Sequence, residues 1–121
     1  MRIVILTGSR TSAESSASTF RDKGGIWARY KVEEVATPEG FARDPKKVLD
    51  FFNSRRRVYR MVQPNPAHLA MARFEREFGG DVLEVTQNVD RLHERAGCKN
   101  VVHMHGETFL GWGMACDARC D

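Results

Sequence analysis

Histidines near residue 105 are the side chains best suited to acid–base chemistry in this sequence. His105 ends a β-branched run and precedes Gly106, so its imidazole can face a cleft and accept a proton near neutral pH. His103 lies two residues earlier, and because side chains alternate along a strand, the two histidines share one face. His68 and His93 are also available by type. A structural role is more common for a lone histidine, so residue type alone does not assign the base.

An amide and a carboxylate stand close together in a segment that follows another β-like run. Asn88 and Asp90 are two residues apart. Together they can bind a carboxamide, a ribose hydroxyl or an ordered water. In the alternative interpretation, Asn88 caps the helix that follows and the pair is structural. The sequence gives these two interpretations equal weight.

The three cysteines are Cys98, Cys116 and Cys120. Cys116 and Cys120 have the spacing of half a zinc site, but structural zinc takes four ligands. The sequence ends one residue after Cys120, so we do not expect this chain alone to bind a metal. An odd number of cysteines, with two close together, is also unlike the disulfide framework of a secreted protein.

Arg55 is a charged residue on an apolar stripe. Asp44-Pro45 predicts the start of a helix, with Asp as N-cap and Pro at the first position. The stripe of this helix also contains Val48, Phe52, Tyr59 and Val62. An arginine that faces the core needs a partner or a pocket. Arg55 is therefore either a side chain that reaches solvent at the core edge or an anion-binding group in a cleft.

The rest of the pattern alternates strands with helices. The expected elements are a strand at 2–7, helices after Pro45 and Pro66, a strand at 81–86, a short helix at 91–96 and a strand at 100–105. This alternation predicts an α/β domain with a largely parallel sheet. Gly8 and the sequence from Thr11 to Glu14 predict a tight turn into a helix N-terminus. Such an end is either a phosphate site or an ordinary connection, and the local pattern favours the ordinary connection.

Two local predictions concern the middle of the chain. Residues 22–43 contain several glycines and a proline without long periodicity, which predicts an ordered loop with short helical pieces. The helix after Asn65-Pro66 is predicted to have one apolar face, formed by Ala67, Ala70, Met71, Phe74 and Phe78.

The positions of the polar segments predict a single crevice. Gly8, residues 87–90 and His105 each follow or end a predicted strand. Ligands of open α/β sheets bind beyond the carboxyl ends of the strands. We therefore expect these three segments to meet at one edge of the sheet.

Composition and charge limit the classes of protein to consider. The chain has 121 residues, of which 41% are hydrophobic and 29% charged, as in a single soluble domain. Its longest strongly apolar run, at residues 3–6, is far shorter than the about 20 residues that cross a membrane, and is too short for a secretory signal. We therefore expect a cytoplasmic protein with no membrane partner. The net charge of +3 is too small to imply nucleic acid.

Taken in order, these motifs resemble the N-terminal half of a bacterial sirtuin, an NAD-dependent protein lysine deacylase. The most specific stretches are Thr86-Gln87-Asn88-Val89-Asp90 and His103-Met104-His105-Gly106-Glu107. Further matching stretches lie, in the same order along the chain, at residues 3–8, 12–15, 18–22, 24–27, 36–39, 66–68 and 92–93. The resemblance covers residues 1 to about 107.

The resemblance implies a fold and a reaction. The fold is a partial Rossmann-like, three-layer α/β domain with a parallel sheet over residues 1–107, followed at 108–121 by the divergent start of a truncated zinc module that contains Cys116 and Cys120. The implied cofactors are NAD and zinc, and the implied partners are acyl-lysine proteins. In the reaction, the acyl oxygen of the modified lysine attacks the ribose carbon that bears nicotinamide. Nicotinamide leaves, and the acyl group ends on ADP-ribose.

The resemblance also assigns roles by motif position. His105 would be the catalytic base that takes a proton from the ribose hydroxyls. Gly8 and Ser12 would form the phosphate turn, and Phe20 and Arg21 the loop over the cofactor. Gln87 and Asn88 would line the ribose side of the site. Asn88 and Asp90 would form the nicotinamide pocket.

One branch of the family removes acidic acyl groups such as succinyl, and carries Tyr-x-x-Arg on the helix that holds Arg55 here. Arg55 matches the arginine, and a guanidinium suits a carboxylate because two of its N–H groups bind side by side. Phe52 occupies the tyrosine position, so one hydroxyl donor is missing. Desuccinylation therefore stays open beside deacetylation, with Phe52 and Arg55 as the expected substrate-binding residues.

Arg10 departs from the family pattern, because it replaces a glycine that lets the backbone approach the cofactor. We expect it either to clash there or to force positive-φ strain of about 1–3 kcal/mol. The pattern ends after Glu107 and the later strands are absent, so we expect self-association through an exposed sheet edge. Two alternatives stay open. One is a catalytically inactive sirtuin remnant, and the other is a small basic nucleic-acid-binding module that uses residues 55–57, which the lack of a nucleic-acid motif disfavours.

Overall fold

A three-stranded parallel sheet organises the computed structural model, which describes residues 1–15, 30–113, 115 and 118–120. The elements are, in order, β1 (Arg2–Thr7), a 3-10 helix (Ser9–Ser15), α1 (Val32–Val35), α2 (Pro38–Arg43), α3 (Pro45–Met61), α4 (Pro66–Glu77), β2 (Asp81–Thr86), α5 (Leu92–Ala96), β3 (Val101–His103), β4 (Gly111–Trp112) and β5 (Arg119–Cys120). The strand order is β1-β2-β3, and β4 pairs with β5 in a separate antiparallel ribbon. The predicted α/β class and parallel sheet are confirmed.

The register of the sheet brings its three carboxyl ends to one level. Thr7 lies opposite Thr86, and Thr86 lies opposite His103. The third strand ends at His103, two residues earlier than predicted. The chain turns there, because the N–H of Gly106 donates to the carbonyl of His103 at 3.3 Å and Gly106 has φ of 76°. His105 therefore lies in a turn beyond the strand.

Local capping fixes where the two longest helices begin, as predicted. The Asp44 carboxylate accepts the N–H of Lys47 at 3.0 Å, and Pro45 occupies the first turn of α3. At α4 the capping is reciprocal: the side-chain oxygen of Asn65 accepts N–H groups of the first turn, and Nδ1 of His68 accepts the backbone N–H of Asn65 at 3.2 Å. Both signals are read from adjacent residues, which is why the sequence locates them well.

Two predictions about helices are wrong. The first helical turn does not begin at Thr11, because the chain coils directly after Gly8 and closes a 3-10 turn with a bond of 2.9 Å from Thr11 N–H to Gly8 O. The predicted apolar face of α4 is not its buried face either. His68 and Ala72 are buried, whereas Phe74 is 39% exposed and stacks on Phe78 at 5.1 Å. The polar cap turns His68 inward and so sets the rotation of the helix.

The predicted loop at 22–43 is described by the structure only over residues 30–43. The predicted short helical pieces are present as α1 and α2, the latter capped by Thr37, whose hydroxyl accepts the N–H of Gly40 at 3.0 Å. None of the helices in the described part of the chain has the length and apolar character needed to cross a membrane.

The two faces of the sheet differ in burial. On one face Thr7, Val82, Glu84 and Thr86 are buried beneath neighbouring elements that include α5. The opposite face carries exposed apolar side chains, at Val4, Leu6, Leu83 and Val102. Parallel sheets are normally covered on both faces, so this open face is a structural peculiarity of the described residues.

Candidate functional site

The loops after the three strands are joined by hydrogen bonds through Asn88. Its backbone N–H donates to the Thr86 hydroxyl at 3.0 Å, and its side-chain Nδ2 donates to the Gly8 carbonyl at 3.1 Å. His105 Nδ1 lies 3.2 Å from the Gln87 carbonyl. Gly8, the segment after β2 and His105 therefore meet at one edge of the sheet, as the strand ends predicted.

Ser12 is the centre of a buried polar network behind this edge. Its hydroxyl donates to Asp90 Oδ2 at 3.0 Å and accepts from Asn88 Nδ2 at 3.1 Å. Nε2 of His68 lies 3.4 Å from the same oxygen, and it carries the ring proton because Nδ1 accepts from the backbone of Asn65. Burial lowers the pKa of His68, which keeps this imidazole neutral. The hydroxyl thus uses its one proton and both acceptor positions within the protein.

Asp90 and Asn88 are both held in place by the protein. Asp90 Oδ1 accepts the N–H of Leu92, the first residue of α5, at 3.0 Å. The alternative in which Asn88 is the cap is wrong, because its amide points back to Gly8 and Ser12. Because Nδ2 donates to these two acceptors, the group that Asn88 can offer a ligand is its side-chain oxygen, Oδ1. Such an oxygen suits the N–H of a carboxamide.

The two histidines of the motif have different hydrogen-bond partners. Nδ1 of His103 lies 2.8 Å from the Asn88 carbonyl, and its Nε2 lies 2.6 Å from Glu94 Oε1. Both neighbours are acceptors, so a proton on each ring nitrogen is favoured. Burial acts to lower the pKa of His103, but the bonds to Glu94 and Asn88 outweigh it and raise this pKa. A ring committed in this way cannot take up a proton.

His105 keeps one nitrogen for proton transfer. The Gln87 carbonyl can only accept, so Nδ1 of His105 carries a proton and Nε2 is the basic nitrogen. The ring is exposed, whereas the side chain of His103 is 6% exposed. The two histidines that residue type left equivalent thus differ in their hydrogen bonds, and the role of His105 as catalytic base stays a prediction.

Two cavities meet at His105. The larger, of about 1090 Å³, combines polar groups with an apolar wall from α2 and α3, and its lining includes Ser9, Phe41, Val48, Phe51, Phe52, Gln87, Asn88, Val89 and His105. The smaller, of about 560 Å³, has Phe52, Val89 and His105 in common with it and extends to Glu107, Trp112 and Arg119. Two ligands that enter from different sides can therefore meet at one imidazole.

The predicted substrate residues Phe52 and Arg55 are separated by the structure. Phe52 lines both cavities. Arg55 faces inward, as its stripe predicted, and is only 6% exposed, so it does not reach solvent at the core edge. Its Nη2 donates to the Tyr59 hydroxyl at 3.2 Å, and its guanidinium lies 4.8 Å from the centre of the Tyr59 ring. Arg55 is absent from the lining of both cavities.

The predicted glycine-turn residues are present, but one expectation about them is wrong. Gly8 needs no special backbone conformation, and a Cβ there would meet only Gln87 Oε1 at 3.8 Å. Arg10 lies exposed inside the 3-10 helix, where φ is negative, so it causes no positive-φ strain. The expected phosphate role of Gly8 and Ser12, and a clash of Arg10 with a cofactor, stay predictions.

Several predicted residues cannot be placed. Phe20, Arg21 and Cys116 lie outside the described residues. Cys120 lies in β5, where its backbone pairs with Gly111. A zinc site at Cys116 and Cys120 therefore stays a prediction.

Sequence reasoning missed the helical wall of the larger cavity. Pro38, Phe41 and Ala42 of α2 contribute to it. The available signal was Thr37-Pro38, which has the same cap-and-proline form as the start of α3.

Comparisons with known proteins agree with one another. A model of the Sir2 family matches residues 8–121. The NAD-dependent protein deacylase of Vibrio cholerae serotype O1 is 55% identical over 107 residues, which are 87% of this chain and 44% of that protein. The NAD-dependent protein deacylase of Caulobacter vibrioides is 50% identical over 121 residues, 98% of this chain and 51% of that protein. The chain thus spans about half the length of these relatives.

Solved structures resemble the chain over nearly its whole length. A mutant Sir2 homologue in complex with ADP ribose has a TM-score of 0.92 at 44% identity, covering 99% of this chain and 48% of that one. A Sir2 homolog–NAD complex has a TM-score of 0.87 at 45% identity, covering 99% and 46%. The similarity extends through the strand ends and loops that form the two cavities.

Proposed function

The chain belongs to the Sir2 family, and from that premise we propose that it carries the nicotinamide-ribose half of an NAD-dependent protein deacylase site. The observation that carries the proposal is the convergence of Gln87, Asn88 and His105 on a cavity of about 1090 Å³. The relatives named above are NAD-dependent protein deacylases, and related structures hold NAD or ADP ribose. The chain spans about half of these relatives, so its own activity is part of the proposal.

The donor set of the larger cavity fits NAD. The carbonyl oxygen of Asn88 suits the carboxamide of nicotinamide, and the polar side formed by Gln87 suits ribose hydroxyls. Ser12 and Asp90 act behind them, because they fix the Asn88 side chain through Ser12 Oγ. The opposite wall is aromatic and aliphatic, which suits the flat faces of a heterocycle.

His105 has the hydrogen-bond pattern of a general base. When bound, NAD supplies an electrophilic ribose carbon with nicotinamide as its leaving group, so that an acyl group can pass from lysine to ADP-ribose. The Gln87 carbonyl holds the proton on Nδ1 of His105, which leaves Nε2 to take a proton from a ribose hydroxyl.

The same geometry favours a neutral acyl group. Phe52 contributes an apolar ring to both cavities and offers no hydroxyl. Arg55 is engaged with Tyr59 and lies behind the cavity wall. Acetyl-lysine is therefore the preferred substrate over succinyl-lysine, whose carboxylate would need an accessible guanidinium.

Nicotinamide release tests this proposal. The purified chain, alone and mixed with a polypeptide carrying the second half of the Caulobacter vibrioides relative, is incubated with NAD and acetyl- or succinyl-lysine peptides. We expect release with acetyl-lysine, and a loss of at least about 100-fold in His105→Ala, the usual scale for removal of a general base. Met61→Ala, at a side chain that is 81% exposed, is the matched control. Absence of release in both settings, or release that His105→Ala leaves intact, would contradict the proposal.

A further inference from the structure

A second polar cluster lies in the interior, apart from the cavities. Glu84 of β2, His93 of α5 and Cys98, which precedes β3, contribute its side chains. Glu84 and His93 have no exposed side-chain surface, and Cys98 is 5% exposed. Each offers a ligand atom, and these atoms all lie within 4.8 Å of one another. None of the three belongs to the proposed catalytic or NAD-binding residues.

The contact between Glu84 and His93 is close but is not a hydrogen bond. Glu84 Oε2 lies 2.8 Å from His93 Nδ1, yet both atoms are buried without a hydrogen-bond partner among the described residues. Buried polar atoms normally have a partner, and a cation held between these two atoms would supply one to both.

Each of the three residues offers one ligand atom to a shared cation. Cys98 Sγ lies 3.3 Å from Glu84 Oε1, so the two carboxylate oxygens face sulfur and nitrogen respectively. His93 Nε2 lies 2.9 Å from the Thr7 hydroxyl. A histidine that binds a metal through one nitrogen usually donates from the other to an oxygen, and Thr7 is placed to accept. The ligands are then Nδ1, Sγ and the Glu84 carboxylate, and binding through both carboxylate oxygens would supply the fourth ligand atom of a tetrahedral site.

Charge balance favours a divalent cation. Without a cation, the Cys98 thiol donates a hydrogen bond to Glu84 Oε1 at 3.3 Å. With a divalent cation, one carboxylate, one thiolate and one neutral imidazole give zero net charge, which removes the cost of a buried ion. The proton displaced from the thiol passes to solvent.

We propose that Glu84, His93 and Cys98 form a structural zinc site, separate from Cys116 and Cys120. Sulfur, imidazole nitrogen and carboxylate oxygen are all zinc ligands, whereas magnesium and calcium select oxygen alone. Zinc bonds of about 2.0–2.3 Å span ligand atoms up to about 4 Å apart, so small side-chain shifts suffice. Because the ligands are buried, the metal enters as the chain folds.

Metal content tests the site without reference to activity. The chain is expressed with added zinc, purified without chelator and analysed by plasma mass spectrometry in a Cys116→Ser/Cys120→Ser background. We expect about one zinc per chain in this background, as for a single structural site. Glu84→Gln, which is isosteric, and Cys98→Ser should each lower the content by at least about tenfold, the usual scale for loss of a ligand or its support. Circular dichroism checks that each protein is folded.

Cobalt substitution identifies the ligand sulfur. We expect the background variant loaded with Co²⁺ to show a sulfur-to-cobalt charge-transfer band in the near ultraviolet, and Cys98→Ser to lack it. Zinc should also raise the Tm of the metal-free background variant and leave that of Glu84→Gln unchanged. A folded background variant that holds no zinc, or a zinc content unaffected by either ligand substitution, would overturn the proposal.

Discussion

The contrast between His103 and His105 shows how much one hydrogen-bond partner decides at the scale of a residue. Their sequence context is nearly the same, and alternation places them on one face. The ring nitrogens of His103 are hydrogen-bonded to a carboxylate and to a carbonyl. The ring of His105 is bonded to one carbonyl through Nδ1, and its Nε2 keeps a lone pair that can accept a proton. These partners come from residues 87, 88 and 94, and no local pattern around the histidines reveals them.

The His103–Glu94 pair predicts a specific pH dependence of stability. Because folding raises the pKa of His103, its contribution is fully present below the unfolded value near 6.5 and is lost as pH rises through the folded value. Burial lowers the pKa of His68 and of His93, which acts in the opposite direction at low pH. The contribution of the pair is therefore measured as the difference in free energy of unfolding between the parent and Glu94→Gln, in which the effects of His68 and His93 cancel.

Urea unfolding from pH 6 to pH 9 measures that difference. We expect the parent to exceed Glu94→Gln in free energy of unfolding at pH 6, by a margin that shrinks toward pH 9. A margin that stays constant or grows with pH would show that the pair is not charged in the folded protein.

Ser12 is predicted to be the most sensitive hydroxyl of the site. Ser12→Ala removes the donor to Asp90 and the acceptor for Asn88, leaving buried groups unsatisfied. We expect a loss of about 1–3 kcal/mol in the free energy of unfolding. Ser54→Ala is the control, since within the described part of the chain the Ser54 hydroxyl bonds back to the carbonyl of Phe51 on its own helix, and should change stability by less than about 0.5 kcal/mol. Equal losses in the two variants would contradict the network.

At the scale of elements, local sequence signals predicted where a helix begins better than which of its faces is buried. The caps at Asp44 and Asn65 lie next to the helices that they begin, so the sequence locates both. The buried face of α4 depends on where His68 points, and that depends on Ser12, which is 56 residues away. The burial of Glu84 within a β-like run was equally hidden in the local sequence. The side chains that contact it, His93 and Cys98, come from later in the chain.

The two caps are predicted to differ in strength. The Asn65 side-chain oxygen accepts the backbone N–H of His68, and the Asn65 backbone N–H donates to Nδ1 of His68. Asn65 Nδ2 also donates to the carbonyl of Thr11 at 2.6 Å, whereas Asp44 is exposed. We expect Asn65→Ala to cost about 2 kcal/mol and Asp44→Ala about 1 kcal/mol in the free energy of unfolding. Chemical denaturation of both variants measures this. A larger cost at Asp44 would contradict the link between α4 and the 3-10 helix.

At the scale of the whole molecule, the open face of the sheet is the dominant feature. Val4, Leu6 and Val102 are 65%, 63% and 47% exposed on it. The sequence anticipated an exposed edge from the length of the resemblance, although it did not show which face would be open. Contiguous exposed apolar surface promotes association.

Self-association through this face stays a prediction with a direct measurement. Sedimentation velocity over a concentration series should show a sedimentation coefficient that rises with concentration for the parent. Leu6→Glu/Val102→Glu should abolish that rise, because it places charges on the face. Leu69→Glu, at an exposed position of α4, is the control and should leave the rise unchanged. Loss of association in the control alone would place the contact elsewhere.

The measurement closest to the central claim is an NAD titration of the isotope-labelled chain, followed by two-dimensional ¹H–¹⁵N spectra. If the crevice holds the nicotinamide ribose, the amide signals of Ser9, Gln87, Asn88 and His105 should shift in a saturable way. The signal of Glu77, at the far end of α4, should stay in place. No saturable shift, or shifts that avoid residues 87, 88 and 105, would contradict the account.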